Sequence, residues 1–169
     1  MIYYIADTHF GHANIIKHCN RPFETVEEMD DALIKNWNHV VSDKDTVYIV
    51  GDFAFRGLNW KEYAKKIRGN KIFLNGNHDK FEEPAPDMLT IKDSGDRIFL
   101  CHYPVCEWNG YFRGVLHFYG HIHNAENLAK ELMDHVPNAY NIGADLLGFT
   151  PRTKDEIIAL GKPKVVPER

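Results

Sequence analysis

The 169-residue chain lacks the features typical of membrane or secreted proteins. No run approaches the roughly 20 apolar residues that a membrane-spanning helix needs. An apolar strand-like run starts at Ile2, which leaves no space for a leader peptide before it. The three cysteines include no Cys-x-x-Cys pair, a pattern that favours free thiols in a reducing compartment. We therefore expect a cytoplasmic protein that makes no membrane contact.

The chain also lacks an excess of basic residues, internal repeats and low-complexity linkers. Its formal net charge is −4, so we expect no general attraction to nucleic acid and no stable binding to it. This charge does not exclude a phosphate substrate, because bound metal ions would reverse the sign locally. The length and the absence of a linker predict one domain over residues 1–169, and no pattern indicates an oligomeric state.

Short apolar runs alternate with amphipathic segments, which predicts an α/β fold. We expect a short helix over residues 11–19 and a longer one that begins after Thr25, where Thr25 and Glu28 have capping-box spacing. Two further helices are predicted at residues 59–68 and after Thr153, the latter ending near Gly161 and Pro163. The segment Lys164–Arg169 is compatible with a strand or a loose tail.

Five of the apolar runs stop at a histidine, an aspartate or an asparagine. The polar blocks that follow them are Asp7-Thr8-His9, Gly51-Asp52, Gly76-Asn77-His78-Asp79, His102 and Gly120-His121-Ile122-His123. Strands of one sheet can present their ends along one edge, so residues distant in sequence can converge there. Such a convergence of His, Asp and Asn predicts a site for two divalent metal ions.

The residue types indicate what such a site would bind and do. Oxygen and imidazole ligands without a thiolate suit Mn²⁺, Fe or Zn²⁺, and Asp52 is suited to bridge two cations through its two oxygens. Two bound metals would polarise a phosphoryl group and lower the pKa of a bridging water. His78 cannot easily bind the same metal as its neighbour Asn77, so we interpret it as a general acid. Asp79 is expected to hydrogen-bond His78 and keep it protonated.

The five blocks, in this order, resemble the signature of the calcineurin-like metallophosphoesterases, and the resemblance spans residues 1 to about 150. It implies a four-layer α/β/β/α sandwich of two mixed sheets, with a dinuclear centre at one sheet edge. The resemblance also implies the ligand roles: one metal is held by Asp7, His9 and His123, the other by Asn77, His102 and His121, and Asp52 bridges them. His78 corresponds to the catalytic histidine.

Several residues outside the blocks are weaker site candidates. The sequence Phe10-Gly11-His12 after the first block resembles a small bacterial and phage-type subgroup, so His12 is expected to contact substrate or to support His9. Arg21, Arg56 and Arg113 lie in predicted loops and could bind phosphate oxygens or remain solvated charges. Trp108, Tyr111 and Phe112 occupy an aromatic loop, where substrate contact and local packing are both open. The segment Asn141–Asp145 is interpreted as a structural strand and turn.

These observations predict a dinuclear metal-dependent phosphohydrolase in which a metal-bound hydroxide attacks a phosphate ester directly. A phosphodiesterase is favoured over a phosphomonoesterase, because the site is capless and His78 suits a larger leaving group. The expected metal is Mn²⁺, with Fe, Zn²⁺ or Ni²⁺ as alternatives, and nucleotides are among the expected substrates. A small nuclease is a further alternative. The competing class is a non-catalytic protein-binding scaffold, which the complete ligand set disfavours.

Overall fold

A computed structural model describes residues 1–82, 84–162 and 164–166 of the chain. The strands are β1 (Ile2–Ile5), β2 (Thr46–Val50), β3 (Asn70–Leu74), β4 (Met88–Asp93), β5 (Asp96–Cys101), β6 (Leu116–Tyr119) and β7 (Ala139–Asn141). The α-helices are α1 (Ala13–His18), α2 (Val26–Val40), α3 (Trp60–Lys66), α4 (Leu128–His135) and α5 (Lys154–Leu160). Short 3₁₀ helices occur at Phe55–Gly57 and Tyr111–Arg113.

The first sheet is parallel, with the strand order β1-β2-β3. Its register aligns Ile5 with Ile49 and Ile49 with Phe73, so the three strands end nearly level. The carboxyl ends of parallel strands lie at the same edge of a sheet. The loops after β1, β2 and β3, which carry the first three polar blocks, therefore meet at that edge.

The second sheet has the order β4-β5-β6-β7, and only the edge strand β4 runs antiparallel to its neighbour. His102 and His121 follow β5 and β6 at their carboxyl ends. The two sheets are joined beside these ends. The Ala6 N–H donates to the Ile142 carbonyl at 2.9 Å, and the Ala144 N–H donates to the Ala6 carbonyl at 2.9 Å. All five polar blocks are thus brought to one end of the molecule.

Helices flank the two sheets, which share one apolar core. Helix α2 buries Met29, Leu33 and Trp37, and the Trp37 indole N–H donates to the Arg68 carbonyl at 3.0 Å. Between the sheets, the rings of Tyr4 and Phe118 meet edge to face with centroids 5.0 Å apart. The expected α/β architecture of two sheets flanked by helices is confirmed, although only the second sheet is mixed and the first is parallel.

The structure adds two elements that the sequence patterns did not reveal, β4 and α4. The side chains of β4 alternate between exposed and half-buried, so the strand lacks the apolar run that identified the others. Helix α4 has only eight residues. It is preceded by the N-cap residue Asn127, whose side chain accepts the Lys130 N–H. The capping box at Thr153 and Glu156 is confirmed.

The end of the chain packs against the residue that precedes β7. Val165 lies against Asn138, whose Oδ1 accepts the Val165 N–H at 2.8 Å. Residues 167–169 of the predicted strand or tail lie outside the described residues, as does Pro163 before it. Among the residues that the structure describes, no helix has the length and apolar character needed to cross a membrane.

Candidate metal centre

Most of the predicted ligands occupy an unusual backbone conformation. Left-handed φ angles occur at Asp7 (56°), His9 (54°), Asp52 (54°), His121 (71°) and His123 (49°). A non-glycine residue in this region costs on the order of 1–3 kcal/mol and persists only when its surroundings hold it there, which is common at functional sites. Each sharp turn follows a strand end directly and directs its side chain towards the common edge of the two sheets.

The first ligand group consists of Asp7, His9 and His123, whose ligand atoms all lie within 4.8 Å of one another. The Nε2 atoms of His9 and His123 are 3.3 Å apart. The His9 Nε2 atom is also 3.6 Å from the Asp52 Oδ2 atom. Adjacent ligands of an octahedral ion with bonds of about 2.1 Å are separated by about 3 Å. The spacing of this group therefore fits a shared cation.

The second ligand group consists of Asn77, His102 and His121. The Asn77 Oδ1 atom is 3.1 Å from the His102 Nε2 atom and 2.9 Å from the His121 Nδ1 atom. The His102 Nε2 atom is in turn 3.4 Å from the Asp52 Oδ2 atom. Asp52 is thus adjacent to both groups through one oxygen. Asp7 also lies within 4.8 Å of Asp52 and His102, so the two groups are contiguous.

Two motif glycines allow these ligands to come together. A Cβ at Gly76 would lie 2.2 Å from the Asp52 Oδ1 atom, and a Cβ at Gly120 would lie 2.5 Å from the Asp7 Oδ2 atom. Either distance is far inside van der Waals contact, so any side chain at these positions would displace a ligand. Each glycine belongs to a different block from the carboxylate that it accommodates.

Hydrogen bonds to the far side of the imidazoles set their orientation. The His102 Nδ1 atom is 3.0 Å from the Val50 carbonyl, and the His123 Nδ1 atom is 2.8 Å from the Asp145 Oδ2 atom. A Nδ1–H donated in this way leaves Nε2 as the atom available to a metal. Asp145 therefore belongs to the centre, a role that its interpretation as part of a structural turn missed. Only its folded position beside His123, 22 residues earlier in the chain, reveals it.

Arg21 does not have the predicted role in substrate binding. Its side chain is completely buried, and its Nε donates to the Asp145 Oδ1 atom at 2.8 Å. The guanidinium also donates to the carbonyls of Asp7 and Thr8 at 2.7 and 2.9 Å. These bonds occupy the guanidinium N–H groups that a phosphate would need. Arg21 instead holds Asp145 and the strained backbone at the first block in place.

Asp79 also differs from the expectation that it hydrogen-bonds the His78 ring. Its carboxylate accepts the backbone N–H groups of Asp52, Phe53 and Gly76 at 2.7, 3.0 and 2.9 Å. Both oxygens are therefore used to fasten the loop after β3 to the loop after β2. Asp79 is a positioning residue for the ligand loops and not the partner of His78.

His78 and His12 line a cavity of about 530 Å³ next to the first ligand group. The His78 ring lies 5.1 Å from the His9 ring between centroids, while its backbone N–H donates to the Asp52 Oδ1 atom at 2.8 Å. The His12 ring stacks on Phe55 with centroids 4.0 Å apart, and its buried Nδ1 has no hydrogen-bond partner among the residues that the structure describes. Burial lowers the pKa of His12 to about 4, so this ring is neutral at physiological pH. The Arg56 guanidinium lies over the Phe55 ring, 5.2 Å from its centroid.

The aromatic loop is placed by packing. Trp108 is 7% exposed, and its indole N–H donates to the Val115 carbonyl at 3.0 Å. For Trp108 the burial of the indole favours local packing over substrate contact. Tyr111 meets the Trp108 ring edge to face at 5.1 Å and Phe112 at 4.9 Å, while Arg113 donates to the Asn109 side chain at 3.1 Å. For Tyr111 these contacts favour the alternative of local packing, and the exposed bond to Asn109 favours the alternative of a solvated charge for Arg113.

The electrostatics of the centre depend on desolvation and on close charges. Desolvation raises the pKa of Asp7 to about 6, and burial lowers the pKa of His9 and of His121. Burial acts to lower the pKa of His123, but the hydrogen bond to Asp145 and the neighbouring Asp7 and Cys19 together outweigh it and raise that pKa to about 10. In the absence of a cation, His123 is therefore protonated at neutral pH and Asp7 is close to its titration range.

These pKa values predict that cation binding near neutral pH releases protons. The imidazolium of His123 must lose its Nε2 proton to become a ligand, and Asp7 must be ionised. Affinity should therefore fall as the pH drops below about 10, where His123 takes up its proton, and more steeply below about 6, where Asp7 is protonated as well. Calorimetric titration of Mn²⁺ in two buffers of different ionisation enthalpy measures the protons released. Binding that releases no proton at neutral pH would contradict the assignment of His123 as a ligand.

The chain is similar to known proteins over nearly its whole length. An uncharacterized protein of Methanocaldococcus jannaschii is 40% identical over 170 residues, which is 98% of this chain and 94% of that protein. A protein of unknown function from Aquifex aeolicus has a TM-score of 0.74 at 28% identity, covering 95% of this chain and 98% of that one. An archaeal phosphodiesterase shares the fold, with a TM-score of 0.53 at 18% identity over 92% of this chain and 94% of that one.

The family described as calcineurin-like phosphoesterase matches residues 1–162 of the chain, which includes every block of the site. The matched range includes all the described strands of both sheets and the described helices that flank them. From this match and the arrangement of ligand-type side chains, we conclude that the chain belongs to the calcineurin-like phosphoesterase family.

Proposed function

We propose that the protein is a dinuclear metal-dependent phosphohydrolase that prefers phosphodiesters. The observation that carries this proposal is the pair of ligand groups that share Asp52, whose Oδ2 atom is 3.6 Å from His9 Nε2 and 3.4 Å from His102 Nε2. When bound at such a centre, two cations polarise the phosphoryl oxygen and activate the attacking water. The mixed oxygen and imidazole ligands suit Mn²⁺, Fe, Zn²⁺ or Ni²⁺, with Mn²⁺ as the first expectation.

The chain's own residues supply the remaining requirements of the reaction. His78 lies on the cavity side of the centre and outside both ligand groups, so its ring is free to donate a proton to the leaving oxygen. Its backbone bond to Asp52 keeps it next to the shared ligand. The cavity beside His78 has the volume of a small-molecule site, which leaves room for a second ester group and supports the preference for a diester.

A matched pair of substrates tests that preference. With Mn²⁺ present, we expect bis-(4-nitrophenyl) phosphate to be hydrolysed with a higher kcat/KM than 4-nitrophenyl phosphate. Both have the same leaving group, so the ratio reports the second ester group alone. A ratio below one would favour the alternative of a phosphomonoesterase. Short single-stranded nucleic acid in the same assay tests the nuclease alternative.

The metal content separates the enzyme from a non-catalytic scaffold. After reconstitution with Mn²⁺ and removal of excess ion, elemental analysis should give about two equivalents per chain, because seven ligand-type side chains exceed what one tetrahedral site uses. A saturating value of one would contradict the dinuclear centre. A protein that retains no stoichiometric metal and hydrolyses neither aryl ester would instead be a scaffold.

A further inference from the structure

A third set of ligand-type side chains shares His123 with the centre. Cys19, His123 and Asp145 bring a thiol sulfur, a ring nitrogen and a carboxylate oxygen within 4.8 Å of one another. Cys19 is 7% exposed. The His123 Nδ1 atom is 2.8 Å from the Asp145 Oδ2 atom, whereas the Nε2 atom of the same ring is 3.3 Å from the His9 Nε2 atom of the first ligand group.

The position of Cys19 is fixed by contacts on both sides. It is the C-cap residue of α1, where its N–H donates to the Ile15 carbonyl at 2.9 Å. Its own carbonyl accepts the Asn124 side-chain N–H at 2.8 Å, which ties the end of α1 to the segment after His123. Cys19 also lines the cavity of about 530 Å³ beside the centre. An ion can therefore reach the sulfur, and water in the cavity can supply a further ligand.

We propose that Cys19, His123 and Asp145 form a third cation site, selective for thiophilic divalent ions such as Zn²⁺. Bonds of about 2.3 Å to sulfur and 2.0–2.2 Å to nitrogen and oxygen place tetrahedral ligands about 3.5 Å apart. The three side chains lie within 4.8 Å of one another, and the 2.8 Å contact from His123 to Asp145 has to open by less than 1 Å. Small side-chain rotations are sufficient for both adjustments.

A divalent ion at this site would bind Cys19 as the thiolate. Asp145 already pairs with the Arg21 guanidinium, at 2.8 Å from Oδ1 and 3.2 Å from Oδ2. The guanidinium therefore offsets the charge of the carboxylate, and a thiolate at Cys19 would restore the negative charge that a divalent ion requires. On binding, the thiol proton and the His123 Nδ1 proton pass to solvent. Mn²⁺ and Mg²⁺ prefer oxygen ligands, so they should leave this site to softer ions.

Occupation of the third site would inhibit the proposed phosphohydrolase. His123 belongs to both sets, and Asp145 orients its ring for the first ligand group. A cation bound to Nδ1 would replace the hydrogen bond between His123 Nδ1 and Asp145 Oδ2 and would draw both side chains towards Cys19. Excess Zn²⁺ should therefore lower activity through this site. The existence of the site is independent of the reaction, and only the inhibition rests on the proposed function.

Cobalt spectroscopy tests the site without an activity assay. A thiolate bound to Co²⁺ gives intense charge-transfer absorption in the near ultraviolet, which carboxylate and imidazole ligands do not give. Titration of the full-length protein with Co²⁺ should produce this band, and Cys19→Ser should abolish it. The exposed Cys106 provides the matched control, because Cys106→Ser should keep the band. Circular dichroism of each variant verifies the fold.

A band that persists in Cys19→Ser, or that disappears in Cys101→Ser instead, would overturn the proposal, as would the absence of a band in the wild-type protein. In the Mn²⁺-loaded enzyme, Cys19→Ser should raise the Zn²⁺ concentration for half inhibition by about 10-fold or more, at least the effect of losing an outer metal-site partner. Equal inhibition of Cys19→Ser and Cys106→Ser would contradict the inhibitory role. Failure of the wild type to hydrolyse any aryl ester would refute the proposed function while leaving the cobalt result intact.

Discussion

Replacement of Asp52 by asparagine is expected to remove most of the turnover, by at least about 10²–10³-fold, and at least one bound metal ion. Burial alone would raise the pKa of Asp52, but the hydrogen bonds with His102 and the His78 backbone and the charges of His102 and His9 together lower it to about 2, so the side chain is ionised under assay conditions. Asparagine retains an oxygen that can accept the His78 N–H, which Asp52 accepts at 2.8 Å. The variant therefore loses the shared charge while keeping the shape.

The measurements are steady-state hydrolysis of a bis-aryl phosphate, elemental analysis and circular dichroism. Asp45→Asn is the matched control, because Asp45 is also a buried aspartate but lies before β2, at the opposite end of the strand from Asp52. It should keep both metal equivalents. Near-normal activity in Asp52→Asn would show that Asp52 is not the shared ligand.

His78→Asn should reduce hydrolysis of alkyl or nucleoside phosphodiesters by about 10²–10⁴-fold, the usual contribution of a positioned general acid. The loss should be clearly smaller on a nitrophenyl ester, because nitrophenolate can leave without a proton and an alkoxide cannot. Metal content should not change, since the His78 ring lies in the cavity and outside both ligand groups.

The comparison requires kcat/KM for both leaving groups in the wild type and the variant, with elemental analysis of each. His39→Asn is a suitable control, because His39 is an exposed residue of α2. An equal loss on both leaving groups would indicate that His78 orients the phosphate. Loss of a metal equivalent would indicate that it is a ligand.

The ligand-bearing end of the fold was predictable because local patterns report it. Each block starts within two residues of the carboxyl end of a strand, so the position of a ligand such as Asp52 or His102 depends on the strand end next to it. Parallel pairing then brings these ends together without any further information. The edge strand β4 was not predictable, because its alternation of exposed and half-buried side chains resembles a polar loop in sequence.

The supporting residues were not predictable because their partners are far away in the chain. Arg21 has the sequence context of a phosphate-binding loop arginine, yet its main partner, Asp145, lies 124 residues later. Asp79 is adjacent to His78, which made a side-chain bond between them the natural expectation. In the fold its carboxylate faces backbone N–H groups of the β2 loop. Trp108 looked available to substrate because its loop has no apolar period, although the indole is buried.

The close approach of the motif glycines affects how distant relatives should be classified. A Cβ at Gly76 would collide with the Asp52 backbone nitrogen at 2.4 Å, and one at Gly120 with the Ala6 Cβ at 2.6 Å. Both collisions would remain if the neighbouring carboxylates were lost during evolution. The glycines are thus required by the architecture in enzymes and in catalytically silent descendants alike. A survey of genomes should therefore distinguish active from inactive members by their carboxylates and imidazoles, and should give the glycines no weight in that decision.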